Sequence, residues 1–521
     1  MKNKWIMVPL ALLMTFSAVS CNGLGGESAE SKVDSSESFS SESVSQTIEN
    51  VEVSAGYERY DIAESNGRKT TGFGAQFDTL IVEPQNGLSD DEWVNIQVAA
   101  IRETNLQCVR VRFFPECYER KNDNNNPNVF DYDSENVDFE SAEMQRYYKL
   151  FDAFEEYGVQ VDLSWYGCRT TFASEDKKIN GSWLGGVYGQ NGVASWCVEP
   201  SLGEKPEEEF AESVAACLKY LVEVKGYTCI NEYSIFPEPD GMLTNSNMLG
   251  RISMDIVARL EAMGLKDKFI YSGPADYGNN PTLYEEKYLS KYNFEKATSS
   301  VYPFNANTDN EVMLEFAKNY TAVTDKYNID WAIAECGTSN FIDPVHNSDS
   351  ETYDRALFMA RFMVNMMNGG CTGMKYFVFS DCYYDGSLNK LGLFCFKHEG
   401  WAAKPVFYSW GMVMKYTDIG SEIYPIQSSD PDVNMVAFKL PDGSWSYMIT
   451  NNLDSSKKIA VVNTRDDRAG KMNVYKITEA RLPESRELKL FDTSEEIDVS
   501  NGVAYVTLPA KSFVIVSNKG V

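Results

Sequence analysis

The chain has 521 residues and a formal net charge of −29, with no basic cluster, which argues against nucleic acid as a partner. Its two histidines, His346 and His398, are too few for a histidine-rich metal centre and poor material for a serine–histidine–acid triad. Eleven cysteines include no Cys-x-x-Cys pair, so the sequence predicts neither a metal site nor any other cofactor.

The first twenty residues, "MKNKWIMVPLALLMTFSAVS", place two lysines before an apolar run and so read as a secretory signal peptide over 1–20. The run is too short to be a membrane span. The following Cys21 completes "SAVSC", which resembles the lipobox of bacterial lipoproteins. That resemblance implies lipidation of Cys21 and an anchor on the extracellular face of the cell membrane. Residues 21–50, rich in serine and glutamate, hold too few apolar groups to offset the entropy of ordering and read as a flexible tether. An extracellular setting permits disulfides, but their pairing is not readable from sequence.

From about residue 70 to 412, strand-like runs alternate with amphipathic helical stretches. "TTGFGAQFDTL" is the first strand, and "DDEWVNIQVAAIRETN" follows as a helix with an acidic first turn. In "QCVRVRFFPE", Val109, Val111 and Phe113 face one way and Cys108, Arg110 and Arg112 the other. "VQVDLSWYG" is the third strand, followed by a long aromatic loop with Trp183 and Trp196. "INEYSIFPEP", "KFIYSGPAD", "KATSSVYPF", "IDWAIAECGTSN" and "CTGMKYFVFSD" follow, each with a helical stretch after it, the last in "KPVFYSWGMVMKYT". Eight strand–helix units fit a closed (β/α)8 TIM barrel over 51–420 better than an open sheet. Beyond, over 421–521, short alternating runs such as "NMVAFKL", "KKIAVVN", "RELKLF" and "SFVIVS" predict an antiparallel β-sandwich.

Barrels of this kind place their chemistry at the C-terminal ends of the strands. Glu238 follows the fourth strand and Glu335 ends the seventh, which puts two carboxylates across the barrel mouth from each other. With one protonated and one ionised, such a pair can cut a glycosidic bond. On these features the chain resembles the clan A glycoside hydrolases, the retaining (β/α)8 enzymes that include cellulases, mannanases and β-xylosidases. The likeness covers residues 71 to about 415, and the sandwich ending "LPAKSFVIVS" resembles the accessory domain often packed against such barrels.

The resemblance implies that Glu238 is the acid/base and Glu335 the nucleophile. Asn231-Glu232 carries the clan's Asn-Glu pair, but it precedes the apolar run Tyr233 to Phe236 and falls at the start of the strand. Position favours Glu238, although Pro237 stands where the clan has asparagine. The clan's supporting arginine falls on Arg110, with Arg112 as the alternative, and its strand-six tyrosine on Tyr302, with Ser300 where the clan has histidine. Phe379 takes the place of the tryptophan that floors the sugar site in many relatives. Substrate contacts are expected from Trp165, Tyr166, Trp183 and Trp196 by stacking, and from Gln76, Asp78, Asp276 and Asp381 by hydrogen bonding, the last four being equally suited to loop capping.

The expected partner is an oligo- or polysaccharide, and a monomer is expected. A surface glycan-binding lipoprotein without hydrolytic activity is the rival reading, resting on Pro237 and Ser300.

Overall fold

The computed structural model describes residues 51–62, 64–77, 84–124, 126–165, 206–235, 238–239, 246–338, 348–384, 387–465, 470–492 and 495–520. Cys21, Asp78, Tyr166, Trp183, Trp196 and Pro237 lie outside them. Strand β1 is Glu58–Asp61. Eight parallel strands then close a barrel: β2 Gly72–Gln76, β3 Cys108–Phe113, β4 Gln160–Trp165, β5 Ile230–Ile235, β6 Ile270–Asp276, β7 Lys296–Val301, β8 Asp330–Cys336 and β9 Gly373–Tyr376. Closure is direct, since β9 pairs with β2 from Gly72 opposite Gly373 to Ala75 opposite Tyr376. These are the eight strands expected from the sequence.

Local signals explain the elements between them. The helix Ala142–Tyr157 starts where Ser141 accepts a hydrogen bond from the Met144 N–H at 3.1 Å, and it stops at Gly158 in the left-handed region. Its Met144, Tyr147, Phe151 and Phe154 recur at helical spacing and pack on the outer face of the barrel. There they meet Val109, Val111 and Phe113, the outward half of β3.

A hairpin of β10 Cys382–Tyr384 and β11 Ser387–Asn389 precedes the second domain. That domain has a six-stranded sheet built from β12 Glu422–Pro425, β13 Val433–Lys439, β14 Trp445–Asn451, β16 Gly470–Ile477, β17 Glu495–Val499 and β19 Ser512–Ser517. A second sheet is formed by β15 Lys457–Val462, β18 Val503–Leu508 and, in parallel with β15, β1. The N-terminal strand therefore belongs to the sandwich, which corrects the boundary at residue 51. Tyr60 and Ile62 join its core with Val461 and Val506.

Side-chain alternation gives the larger sheet two buried faces. Met435, Ala437, Tyr447 and Ile449 fill the sandwich, while Val436, Phe438, Met448 and Ile515 pack against the barrel. Phe438 meets Phe73 of β2 edge to face at 6.0 Å. "RELKLF" does not form the expected strand. It crosses the barrel helices, where Leu490 is buried, its N–H donating to Glu103 at 2.9 Å, and Arg486 donates to the Ala403 carbonyl. Side-chain and loop partners there take the place of a ladder.

Candidate active site

The barrel interior is polar, unlike the branched apolar filling usual in such barrels. Its lower part is an ion network. Lys375 of β9 reaches Asp162 of β4 at 3.1 Å and Glu232 of β5 at 3.6 Å, and Lys296 of β7 pairs with Glu232. Two carboxylates and two ammonium groups balance in charge, and Ser234 donates to Asp162 at 3.0 Å. Burial opposes ionisation of Glu232, but Lys296 and Lys375 outweigh it and draw its pKa down to about 2. Glu232 pairs with Ile270, the first residue of β6, which puts it on the N-terminal side of the barrel and away from the C-terminal strand ends. It is a buried structural anion.

Higher up, Glu335 sits at the end of β8 with Arg110 and Tyr302 on it. Arg110 pairs with its Oε1, and the Tyr302 hydroxyl donates to Oε2 at 3.0 Å. Tyr302 lies against Gly337, where a Cβ would stand 2.9 Å from its ring, so glycine permits that approach. Glu238 follows β5 and has φ 55°, a left-handed conformation that a side chain adopts at some energetic cost. Its N–H donates to the Ala275 carbonyl at 3.2 Å, and Ser300 Oγ donates to the same carbonyl at 3.2 Å. Desolvation first, and the Glu335 charge second, push the Glu238 carboxyl up to about 7, against smaller opposing effects of Arg110, Ser300 and Arg112. The two glutamates thus feel each other's charge. Burial and the charges of both glutamates also push the Tyr302 hydroxyl well up, so it stays a proton donor.

Several expected contacts lie elsewhere. Trp165 is fully buried on the outer face of β4, edge to face with Phe113 at 5.1 Å, and offers no face to a sugar. Its parity is that of Val161 and Leu163, which point to the helices. Phe379 also packs outward, stacked on Phe77 at 5.0 Å. Phe377 is an aromatic ring at the site and shares the inward parity of Lys375. It clusters with Tyr302, and Arg112 lies 5.8 Å from its ring centre. Gln76 is wholly buried, and its Oε1 accepts from Arg110 at 3.5 Å, so it orients the arginine.

Asp381 is sealed from solvent in an ion pair with Lys404 at 2.6 Å and accepts the Gly392 N–H. Asp276 is buried and caps its turn by accepting the Gly278 N–H at 3.1 Å. Sequence reasoning passed over Tyr277. It is 48% exposed, its ring centre lies 6.1 Å from that of Tyr302, and its hydroxyl feels the Glu238 charge. An exposed aromatic beside paired carboxylates is the usual form of a sugar platform, and its place next to Asp276 was the available signal.

No family model matches the chain, and no curated protein matches its sequence. Its fold is found in solved structures. The catalytic domain of glycoside hydrolase family 30 xylanase C from Talaromyces cellulolyticus is 15% identical with a TM-score of 0.60, covering 88% of this chain and 99% of that one. A monomeric β-xylosidase from Caulobacter crescentus is 14% identical with a TM-score of 0.56, covering 88% and 99%. A conserved exported protein from Bacteroides fragilis is 10% identical with a TM-score of 0.61, covering 88% and 100%. At these identities the likeness is one of fold: a barrel and sandwich arranged as in those proteins.

Proposed function

We propose that the protein is a retaining glycoside hydrolase that cleaves β-glycosidic bonds in a plant-type oligo- or polysaccharide. The observation that carries this reading is the unequal pair of carboxyls: Glu335 held by Arg110 and Tyr302, Glu238 pushed up to about 7 beside it. The fold shared with a xylanase and a β-xylosidase supports the same class of substrate.

In the first step, Glu335 attacks the anomeric carbon while Glu238 gives its proton to the departing glycosidic oxygen, leaving a glycosyl ester on Glu335. Arg110 and Tyr302 fix the orientation of the attacking carboxylate. In the second step Glu238, now ionised, takes a proton from water, whose oxygen attacks the anomeric carbon and releases Glu335. Each step restores what the other consumed, so no cofactor takes part. Cys21 would carry the lipid that holds the enzyme at the extracellular face, and replacing it with serine should abolish incorporation of labelled palmitate.

The test is hydrolysis of a panel of aryl β-glycosides and plant polysaccharides by wild type, Glu335→Ala and Glu238→Ala. Glu335→Ala should lose all turnover. Glu238→Ala should keep the first step on aryl glycosides with good leaving groups and be accelerated by azide, a nucleophile that needs no general base. Wild-type rates on natural glycosides in folded Glu238→Ala would overturn the assignment. An inactive wild type that still binds glycans would favour the non-hydrolytic reading.

A further inference from the structure

A second group of carboxylates lies apart from the two glutamates at the barrel mouth. The segment after β3 brings Glu119 and Asp123 against the helix Pro206–Lys219, where Glu209 and Glu212 share one face at a spacing of three residues. The Tyr118 hydroxyl and Ser213 Oγ, 2.9 Å apart, fasten the two elements together. None of the four acids is more than 8% exposed. Among the described residues no lysine or arginine forms an ion pair with any of them. Arg259, whose charge reaches Glu209 and Glu212, directs its hydrogen bonds to Asp255 and the Glu208 carbonyl.

Burying this much like charge without a counterion is strongly unfavourable. Burial, and after it the neighbouring carboxylates among other effects, pushes Glu212 up to about 8, and burial leads the upward shifts of Glu119, Asp123 and Glu209. Either protons or a cation must relieve the site.

The geometry favours a cation. One oxygen each from Asp123, Glu209 and Glu212 lies within 4.8 Å of the others, which places a common centre within about 2.8 Å of all three. Glu119 gives an independent sign. Its Oε1 accepts the Asp123 N–H at 3.1 Å, which aims the carboxyl at the cluster, while its Oε2 is buried with no hydrogen-bond partner. Asp123 Oδ1, Glu209 Oε2 and Glu212 Oε1 are likewise buried without one. A proton shared between Glu209 and Glu212 is the competing arrangement, and it leaves the buried oxygens of Glu119 and Asp123 unanswered.

We propose that Glu119, Asp123, Glu209 and Glu212 bind one hard divalent cation, calcium, which pins the segment after β3 to the helix leading into β5. Oxygen-only donors disfavour zinc. Magnesium demands near-ideal octahedral geometry at ~2.1 Å and gives up its waters reluctantly, whereas calcium accepts several carboxylates at ~2.3–2.6 Å with flexible geometry.

The experiment uses the whole protein, stripped with EDTA, exchanged into metal-free buffer near neutral pH and titrated with CaCl2 or MgCl2. Calorimetry should give one calcium site per chain, and calcium should raise the melting temperature by several degrees, more than magnesium at the same concentration. The double variant Glu209→Gln, Glu212→Gln should lose the calcium shift. Without metal it should melt at or above stripped wild type, because like charge has been removed. A stripped wild type that shows neither binding heat nor a shift overturns the proposal and leaves a proton-held cluster. A variant that keeps the full shift overturns it as well. Should the double variant fail to fold, the wild-type titration decides, with Asp123→Asn as the second variant.

Discussion

Glu232 and Glu238 lie six residues apart, yet replacing each with glutamine should change stability in opposite directions. Folding raises the Glu238 carboxyl from its ordinary 4.5 to about 7. Between those values the folded protein holds a proton that the unfolded chain releases. The group therefore costs nothing below about pH 4.5, and its penalty grows as pH rises through 7. At 1.36 kcal/mol per unit the full penalty is about 3 kcal/mol, which the neutral amide of Glu238→Gln would remove. Folding lowers Glu232 to about 2, so its contribution is present above about pH 4.5 and is lost as pH falls toward 2. Glu232→Gln would forfeit that contribution of about 3 kcal/mol and leave Lys296 buried without its partner, for a total loss of about 3–5 kcal/mol.

Urea unfolding followed by circular dichroism at about pH 5 and pH 8 reads both effects. Glu238→Gln should match wild type at the lower pH and exceed it at the higher. Glu232→Gln should be weaker at both. A Glu238→Gln protein less stable than wild type at pH 8 would refute the assignment of burial and like charge to Glu238. A neutral Glu232→Gln would refute the ion network as a source of stability.

Other outcomes follow from single contacts. Tyr302→Phe removes the 3.0 Å hydrogen bond to Glu335, and kcat should fall by ~10–100-fold with KM little changed, measured by steady-state hydrolysis of an aryl glycoside. Trp165→Phe should lower the urea midpoint and leave KM unmoved, whereas Tyr277→Ala should raise KM several-fold at nearly constant stability, because one ring is in the core and the other at the mouth. The rate should follow a bell-shaped pH profile whose alkaline limb falls near 7, where Glu238 loses the proton it must donate. That limb belongs to the interacting pair, and it should move downward in a variant that replaces Glu335 with a neutral residue and is assayed with an external nucleophile.

How much of this was legible in the sequence depends on the range of the interaction concerned. The eight barrel strands were legible because each carries its own alternation and is followed by its own helix. The meeting of Arg110, Tyr302 and Glu335 was legible through the resemblance to the clan A glycoside hydrolases, whose supporting arginine and strand-six tyrosine fall on Arg110 and Tyr302. β1 was not, since Tyr60 is packed by residues about four hundred positions later, and nothing local marks a strand that joins a distant sheet edge. Trp165 and Phe379 were misplaced for different reasons. Parity along β4 sends Trp165 outward with Leu163, whereas Phe379 shares the parity of Lys375 and packs outward because β9 ends at Tyr376 and strand alternation does not hold beyond it.

The buried charges show why polar residues in a barrel are harder to assign than apolar ones. A leucine at an outward position is explained by its own strand, but Asp162, Glu232, Lys296 and Lys375 are explained only by one another. Taken singly, Asn231-Glu232 looks more like a catalytic motif than Glu238 between two prolines. Its true character emerges only when lysines from β7 and β9 are brought to it. The same logic distinguishes the two glutamates at the mouth. Glu335 has a cation and a donor, Glu238 has burial and a neighbouring negative charge, and the difference between those surroundings makes the two carboxyls suited to different chemical work. Around Glu119, Asp123, Glu209 and Glu212 no such partner forms an ion pair among the described residues, and Arg259 acts on Glu209 and Glu212 only at a distance. Compensation in the first group, and for Glu335 in the second, comes from residues on strands that are not adjacent, across the barrel interior. In the third, no lysine or arginine among the described residues forms an ion pair with the acids, and the proposed calcium would bring the positive charge from solution.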